Sequence, residues 1–291
     1  MKLVLYLIAY PILWLISILP FRLLYLLSDG IYVLIYHIIG YRKKTVRENL
    51  ALALPHLSKE ERLKIEKKSF KHLCDMFLEM IKTMTISQKE MDKHFQYTNL
   101  KVYQNLEKKG KSIALLCAHY ASYEWVISMN KYITFEGFAI YKKITNPYFD
   151  KLVKNIRSKF KAYLITTKDT IKVIEQNHKE KRLCVYGFAG DQSPKASKAH
   201  HWGTFMGVTV PIHTGAEMLA KRFDMNVIFL RVKQIKRGYY EATFEVMSED
   251  VRSIPDYDIS DAFIRKVEKQ ILEAPEFYFW IHKRYKHRVK Q

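Results

Sequence analysis

Residues 112–125 read Ser-Ile-Ala-Leu-Leu-Cys-Ala-His-Tyr-Ala-Ser-Tyr-Glu-Trp, and the rest of the chain is organised around them. The first half is a short apolar run bounded by Gly110, a composition typical of a buried strand. His119 ends the run, and Ser122 is a suitable N-cap for a helix whose first turn holds Glu124. A histidine at a strand end can meet a carboxylate in the next helix across the connecting loop. We therefore expect His119 to be a general base and Glu124 to orient it.

That spacing alone is a weak signal, because a histidine after a strand is often only a half-buried core side chain. Polar side chains at the ends of other predicted strands strengthen it, since ligands of open parallel sheets bind outside the carboxyl ends of the strands. These side chains are Tyr141, Lys142 and Lys143 after the second predicted strand, Arg157 on the following helix, and Asp191 after a later strand. Together they predict a cationic pocket and a second carboxylate beside the base. Taken singly, the cations also fit surface charge and the aspartate fits a turn.

Beyond residue 110, strand-like segments alternate with helix-like ones. Strands are predicted over residues 113–118, 137–141, 163–166, 183–188, 227–232 and 239–246, with helical segments between most of them. This alternation is typical of an α/β fold with a mostly parallel central sheet flanked by helices on both faces. The sequence therefore predicts that fold class.

Composition limits the classes of function. The chain has 291 residues and a net charge of +20, which suits nucleic acid, an anionic membrane surface or a phosphorylated substrate. An apolar fraction of 48% excludes a disordered polycation. The 3 cysteines lack Cys-x-x-Cys spacing, and the histidines match no standard zinc pattern, so we expect no metal.

The first forty residues predict a membrane anchor that precedes a cytosolic domain over residues 41–291. Residues 3–21 carry no charge and indicate a transmembrane helix, whereas the interrupted apolar stretch over residues 23–39 is expected to lie in the membrane interface. A cleaved signal peptide is the alternative, but no small-residue cleavage site follows. The basic cluster over residues 41–47 favours a cytoplasmic location for everything downstream.

No motif for covalent catalysis accompanies His119. Ser122 and Cys117 lie close to it in the chain, yet the sequence holds no G-x-S-x-G elbow. No Walker or dinucleotide fingerprint surrounds the glycines either. Direct attack by an activated substrate hydroxyl is therefore preferred to a covalent enzyme intermediate.

Several blocks of sequence, in order along the chain, resemble the late acyltransferases of lipid A biosynthesis. That family lies in the lysophospholipid/glycerolipid acyltransferase superfamily, which is defined by an H-x4-D/E motif that His119 and Glu124 match. The other blocks are Arg-Glu-Asn-Leu at residues 47–50, residues 141–157, Asp191-Gln192 with Trp202-Gly203, and residues 275–286. Two departures are Lys142, where an arginine is usual, and Trp202, where a phenylalanine is more typical.

The resemblance implies transfer of a fatty acyl chain from acyl carrier protein or coenzyme A to a hydroxyl of a lipid A precursor, without a cofactor. It implies a catalytic set of His119, Glu124 and Asp191, with Tyr141, Lys142, Lys143 and Arg157 binding substrate. The expected partners are acyl carrier protein, the lipid acceptor and inner-membrane lipids, with the catalytic domain on the cytoplasmic side. A lysophospholipid or aminolipid acceptor is the alternative.

A membrane-tethered nucleic-acid binder is the non-enzymatic alternative. It is suggested by the net charge and by the basic tail over residues 283–288. No nucleic-acid-binding motif accompanies that tail, and basic residues beside a membrane anchor have a simpler use. We therefore predict no nucleic-acid partner.

Overall fold

The structure, a computed structural model, describes residues 1–289. Its α-helices are α1 (Lys2–Ile18), α2 (Phe21–Tyr32), α3 (Lys43–Ala53), α4 (Lys59–Lys82), α5 (Gln88–His94), α6 (Leu100–Glu107), α7 (Pro147–Ser158), α8 (Thr170–Lys179), α9 (Gly215–Arg222) and α10 (Asp258–Glu273). Its strands are β1 (Phe95–Tyr97), β2 (Ile113–Cys117), β3 (Glu136–Tyr141), β4 (Tyr163–Thr166), β5 (Cys184–Ala189), β6 (His201–Phe205), β7 (Val208–Ile212), β8 (Asn226–Lys236) and β9 (Tyr239–Ser248). A π-helical segment (Val33–Ile39) continues α2, and 3-10 helices span Tyr123–Lys131, Ala196–Lys198 and Pro275–Phe277.

Seven strands form one sheet in the order β1-β9-β8-β2-β5-β3-β4. The five strands from β8 to β4 run parallel to one another, while β9 and β1 run in the opposite direction. Helices flank this sheet, so the predicted α/β class with a mostly parallel sheet is confirmed. The short strand β1 and the separate antiparallel hairpin of β6 and β7 were not predicted.

Strand β2 lies at the centre of the core. All five of its residues are buried, because β8 and β5 pair with its two edges and helices cover the faces of the sheet. Ile113 and Leu115 are at most 1% exposed, and burying a side chain of this size contributes about 1.5–3 kcal/mol. The apolar run at the start of residues 112–125 is therefore the middle strand of the sheet.

The N-terminal segment differs from its prediction, because its second helix is longer than its first. Helix α1 has 17 residues and ends just before Pro20, whose ring and missing N–H oppose a continuous helix. Helix α2 continues through the π-helical segment as one 19-residue unit, Phe21–Ile39, which is long and apolar enough to cross a membrane. Residues 23–39, predicted to lie in the interface, thus belong to a helix of spanning length, whereas the apolar helix Lys2–Ile18 is shorter.

Polar contacts join this segment to helix α4. Ser28 Oγ donates a hydrogen bond to Asp75 at 2.6 Å, and Tyr36 donates to Glu66 at 2.9 Å. Asp29, which interrupts the apolar pattern, accepts from the Arg237 guanidinium at 2.8 and 3.0 Å. These contacts join residues on both sides of residue 40. The domain boundary at that residue stays a prediction.

Candidate active site

The register between β2 and β5 places two predicted site residues side by side. These neighbouring parallel strands end their pairing at Cys117 and Ala189. His119 and Asp191 each lie two residues beyond that pair, at the carboxyl edge of the sheet. Because parallel strands advance together, two side chains at equal distance from the last pair come to the same level.

His119 and Asp191 are hydrogen-bonded. The imidazole Nδ1 lies 2.7 Å from Asp191 Oδ1, and the backbone N–H of His119 donates to the same oxygen at 3.0 Å. The Asp191 side chain has no exposed surface, while that of His119 is 20% exposed. An ionised carboxylate only accepts hydrogen bonds, so Nδ1 carries the proton and Nε2 remains an unprotonated base.

The electrostatics of the pair favour a strong base. Burial by itself lowers the pKa of His119, but the adjacent Asp191 charge outweighs burial and raises the pKa above its usual value. Burial raises the pKa of Asp191, yet its contact with His119 outweighs that effect and holds the pKa below the usual range. Asp191 therefore stays ionised at neutral pH and stabilises the imidazolium when the base takes up a proton.

Glu124 does not form the predicted hydrogen bond with His119. It accepts two hydrogen bonds from Arg157 of α7, at 2.9 Å from Nε and 2.6 Å from Nη2. The guanidinium fork occupies both carboxylate oxygens, which is the geometry in which arginine binds a carboxylate most strongly. Glu124 still raises the pKa of His119 through its charge, while Arg157 lowers it. The assignment of Glu124 as the group that holds the imidazole is corrected: Asp191 takes that position.

The loop between the two motif residues is held by helix α4. A 3-10 helix begins directly after Ser122, as predicted, but the Ser122 hydroxyl donates to Glu79 Oε2 at 3.0 Å instead of capping the helix. The indole of Trp125 donates to the Glu79 carbonyl at 3.2 Å. Glu79 is fully buried, and burial raises its pKa to about 7. Sequence reasoning missed this residue, because its contact with Ser122 joins two parts of the chain that are 43 residues apart.

The closing segment of the chain pairs with the His119 loop. Phe279 N–H donates to the His119 carbonyl at 3.1 Å, and Ala121 N–H donates to the Phe277 carbonyl at 3.0 Å. Ala121 has a φ of 50°, a left-handed conformation that costs on the order of 1–3 kcal/mol in a residue other than glycine. These backbone hydrogen bonds hold the sharp reversal after His119 in place. The family resemblance of residues 275–286 thus falls on a segment that shapes the site.

The predicted cationic pocket is only partly assembled. Tyr141 is buried and donates its hydroxyl to Asp150 at 3.2 Å, so it packs against α7 instead of lining an open surface. Lys142 and Lys143 are exposed directly after β3, next to β5 in the sheet. Arg157 is drawn to Glu124 beside the base. A substrate-binding role for these residues stays a prediction.

Comparisons with known proteins find relatives over nearly the whole chain. A family model described as bacterial lipid A biosynthesis acyltransferase matches residues 2–287. The chain is 24% identical over 287 residues to a lipid A biosynthesis lauroyltransferase of Escherichia coli (strain K12), covering 95% of this chain and 90% of that protein. It is 23% identical over 282 residues to a lipid A biosynthesis palmitoleoyltransferase of the same strain and to a lipid A biosynthesis acyltransferase of Shigella flexneri. Each of these alignments covers 95% of this chain and 89% of the relative.

Proposed function

Because the chain belongs to the bacterial lipid A biosynthesis acyltransferase family, we propose that it moves a fatty acyl chain from a thioester donor to a hydroxyl of a lipid A precursor. The donor is acyl carrier protein or coenzyme A, and the product is an ester. The observation that carries the proposal is the His119 imidazole, oriented by a fully buried Asp191 at the carboxyl edge of the sheet. This is where ligands bind in open α/β folds.

The reaction needs one base and no covalent enzyme intermediate. Nε2 of neutral His119 takes the proton of the acceptor hydroxyl as its oxygen attacks the thioester carbonyl. The tetrahedral intermediate collapses, the carbon–sulfur bond breaks, and the imidazolium returns its proton to the leaving thiolate. Asp191 holds the tautomer and stabilises the imidazolium during these steps.

Glu124 and Arg157 act beside the base. The carboxylate fixes the guanidinium through Nε and Nη2, while Nη1 makes no hydrogen bond to any of residues 1–289. We assign this remaining N–H group to a phosphate of the acceptor or of the donor's phosphopantetheine, because guanidinium groups suit phosphate recognition. Lys142 and Lys143 supply further positive charge nearby.

Two contacts join the N-terminal helices to the edge of the sheet that holds His119, and they support membrane binding at this edge. The turn after β8 binds α2 through Arg237 and Asp29, and Asn146, just after β3, donates to the Lys2 carbonyl at 3.3 Å. Both turns lie at the carboxyl ends of parallel strands, as His119 does. Large apolar side chains of these N-terminal helices are exposed, among them Leu7, Ile8, Leu15, Leu26 and Ile38. An exposed apolar surface of this kind favours insertion into lipid.

The proposed location is the cytoplasmic face of the inner membrane. Basic residues that follow the N-terminal helices would contact anionic lipid headgroups there, and each nearby cation adds about 1 kcal/mol to membrane binding. The same excess of positive charge, +20 overall, would speed the encounter with an acidic carrier protein.

An acceptor panel tests the proposal. The purified full-length chain is incubated with acyl carrier protein and coenzyme A thioesters and with three acceptors: an acylated, phosphorylated glucosamine disaccharide, lysophosphatidic acid and an acylated amino acid. Mass spectrometry should find the extra acyl chain on the disaccharide, bound as an ester. Acylation of lysophosphatidic acid or of the aminolipid alone would replace this function with the alternative one, and no transfer from either thioester would contradict both.

A further inference from the structure

A cavity opens where β2 and β8 separate. The two strands pair as far as Leu116 and Phe229, and β8 then continues to Lys236 without β2 beside it. A cavity of about 300 Å³ lies along this part of β8, and we name it the β8 cavity. Its lining includes Tyr120, Arg231, Lys233, Gln270, Glu273 and Phe277.

The β8 cavity is distinct from the site around His119. The His119 ring is bonded to Asp191 on the β5 side of β2, whereas β8 lies on the other side. Tyr120, the next residue, turns its hydroxyl toward α10, where the carbonyls of Gln270 and Ala274 lie 3.0 and 2.9 Å away. The base and the β8 cavity thus lie on opposite sides of one strand end.

A buried amide oxygen in the wall of the cavity has no hydrogen-bond partner among the described residues. Gln270 is 3% exposed, and its Nε2 donates to the Val232 carbonyl at 3.0 Å. Its Oε1 accepts no hydrogen bond from any described residue. A buried acceptor without a donor is destabilising, so a ligand that supplies an N–H or O–H group would be favoured here.

The charges around this amide have both signs. Lys233 is exposed and forms no ion pair within residues 1–289, while Arg231 is paired with Glu273. The β8 cavity therefore offers a cation for an anionic group, and a carboxylate with a free amide oxygen for a cationic donor. A ligand that carries a phosphate and a primary ammonium satisfies both.

The N-terminal helices, which we propose insert into lipid, favour the membrane as the source of such a ligand. Arg237 lies four residues beyond Lys233, about 13 Å along a strand, and contacts Asp29 of α2. We propose that the β8 cavity binds the headgroup of a phospholipid with a primary ammonium group. Lys233 and Arg231 bind its phosphate, and Gln270 Oε1 and Glu273 accept hydrogen bonds from its ammonium group.

Short-chain lipids below their micelle concentration test this proposal by calorimetry on the full-length chain. Dihexanoyl phosphatidylethanolamine should bind, whereas the phosphatidylcholine analogue should bind at least about tenfold more weakly, because trimethylammonium donates no N–H hydrogen bond. The phosphatidylglycerol analogue should also bind more weakly, since it has no ammonium group to donate hydrogen bonds to Gln270 Oε1 and Glu273. Equal affinity for the ethanolamine and choline lipids would overturn the proposal, as would a preference for the glycerol lipid.

Exposed residues provide matched variants. Lys233→Ala should weaken binding of the ethanolamine lipid about tenfold, and Glu273→Gln should move the preference toward the glycerol lipid by removing a negative charge. Lys269→Ala, on the exposed surface of α10, is the control and should change neither affinity. Equal losses in all three variants would contradict the assignment.

The measurement does not depend on acyl transfer. Binding should persist in His119→Ala, which the proposed function expects to be nearly inactive. Loss of lipid binding in that variant would place the ligand at the base and overturn a separate site. An inactive wild-type chain that still binds the ethanolamine lipid would refute the proposed function alone.

Discussion

Of the two carboxylates considered for His119, the one nearer in the chain does not hydrogen-bond to the imidazole, and the one farther away does. Glu124 is five residues away in the chain, yet it contacts Arg157. Asp191 is 72 residues away, yet it lies 2.7 Å from the imidazole. Asp191 is wholly buried at a strand end, whereas Glu124 is in a 3-10 helix and pairs with an arginine that is 21% exposed.

The difference shows that strand register, and not separation along the chain, positions the carboxylate that contacts His119. A neighbouring parallel strand fixes the height of Asp191 relative to His119 by hydrogen-bond register, which tolerates no intermediate position. The loop that joins His119 to Glu124 reverses sharply at Ala121, and its course depends on contacts with α4 and the closing segment. Proximity in the chain therefore does not decide the partner of the base.

Removal of the base should produce the largest effect. His119→Ala is expected to lower kcat about 10²–10⁴-fold, because no other group replaces the general base. The measurement is initial acyl transfer to the disaccharide lipid, with protein folding checked by circular dichroism. His178→Ala, on the exposed surface of α8, is the matched control and should retain full activity. Near-normal turnover by His119→Ala would refute the mechanism.

Asp191→Asn is the sharpest test of the comparison. We expect kcat to fall about 10²-fold, because the amide no longer fixes the tautomer or stabilises the imidazolium. In the wild type, kcat/KM should rise with pH through an apparent pKa above the usual value of histidine, because Asp191 raises the pKa of His119. The variant should move this acid limb to lower pH, since burial then lowers the pKa of His119 against only the smaller effect of the Glu124 charge. An unmoved acid limb would show that Asp191 does not act on the base.

Glu124→Gln should have a smaller effect on activity, of about tenfold, because Glu124 makes no hydrogen bond to His119 and its charge raises the pKa of the imidazole less than that of Asp191 does. The free energy of unfolding should fall by about 2 kcal/mol, less than the ~3–5 kcal/mol lost when a fully buried pair is broken, because Arg157 is partly exposed. Urea unfolding and initial rates would be measured for Glu124→Gln, for Arg157→Gln and for the double variant. Additive losses would mean that the two side chains act independently. A shift of the acid limb as large as that of Asp191→Asn would reverse the comparison.

Replacement of the exposed lysines should have the smallest effect. Lys142→Ala combined with Lys143→Ala is expected to raise KM a few-fold with kcat nearly unchanged, because screened surface charges contribute little each. The KM of the variant should depend less on salt than that of the wild type. Lys172→Ala, on the exposed surface of α8, is a suitable control. A large fall in kcat would instead place these lysines at the reacting groups.

Much of the architecture was accessible to sequence reasoning. The apolar run over residues 113–118 became β2, and the alternation beyond it became a mostly parallel α/β sheet. The histidine and both carboxylates were identified as residues, because each follows or faces a strand end. The three residues of β1 and the β6–β7 hairpin gave no comparable signal. Their short or irregular patterns become strands only through pairing with distant partners.

The sequence by itself determined strands β2 to β5, β8 and β9, the apolar N-terminal segment and the titratable groups at the carboxyl edge. Those features follow from local periodicity and composition, which every stretch of chain carries with it. Only the tertiary structure decided that Asp191 holds His119, that Glu124 binds Arg157, and that Glu79 holds the loop between them. These contacts depend on strand order, on register and on the packing of α4 and α7, which no local pattern encodes.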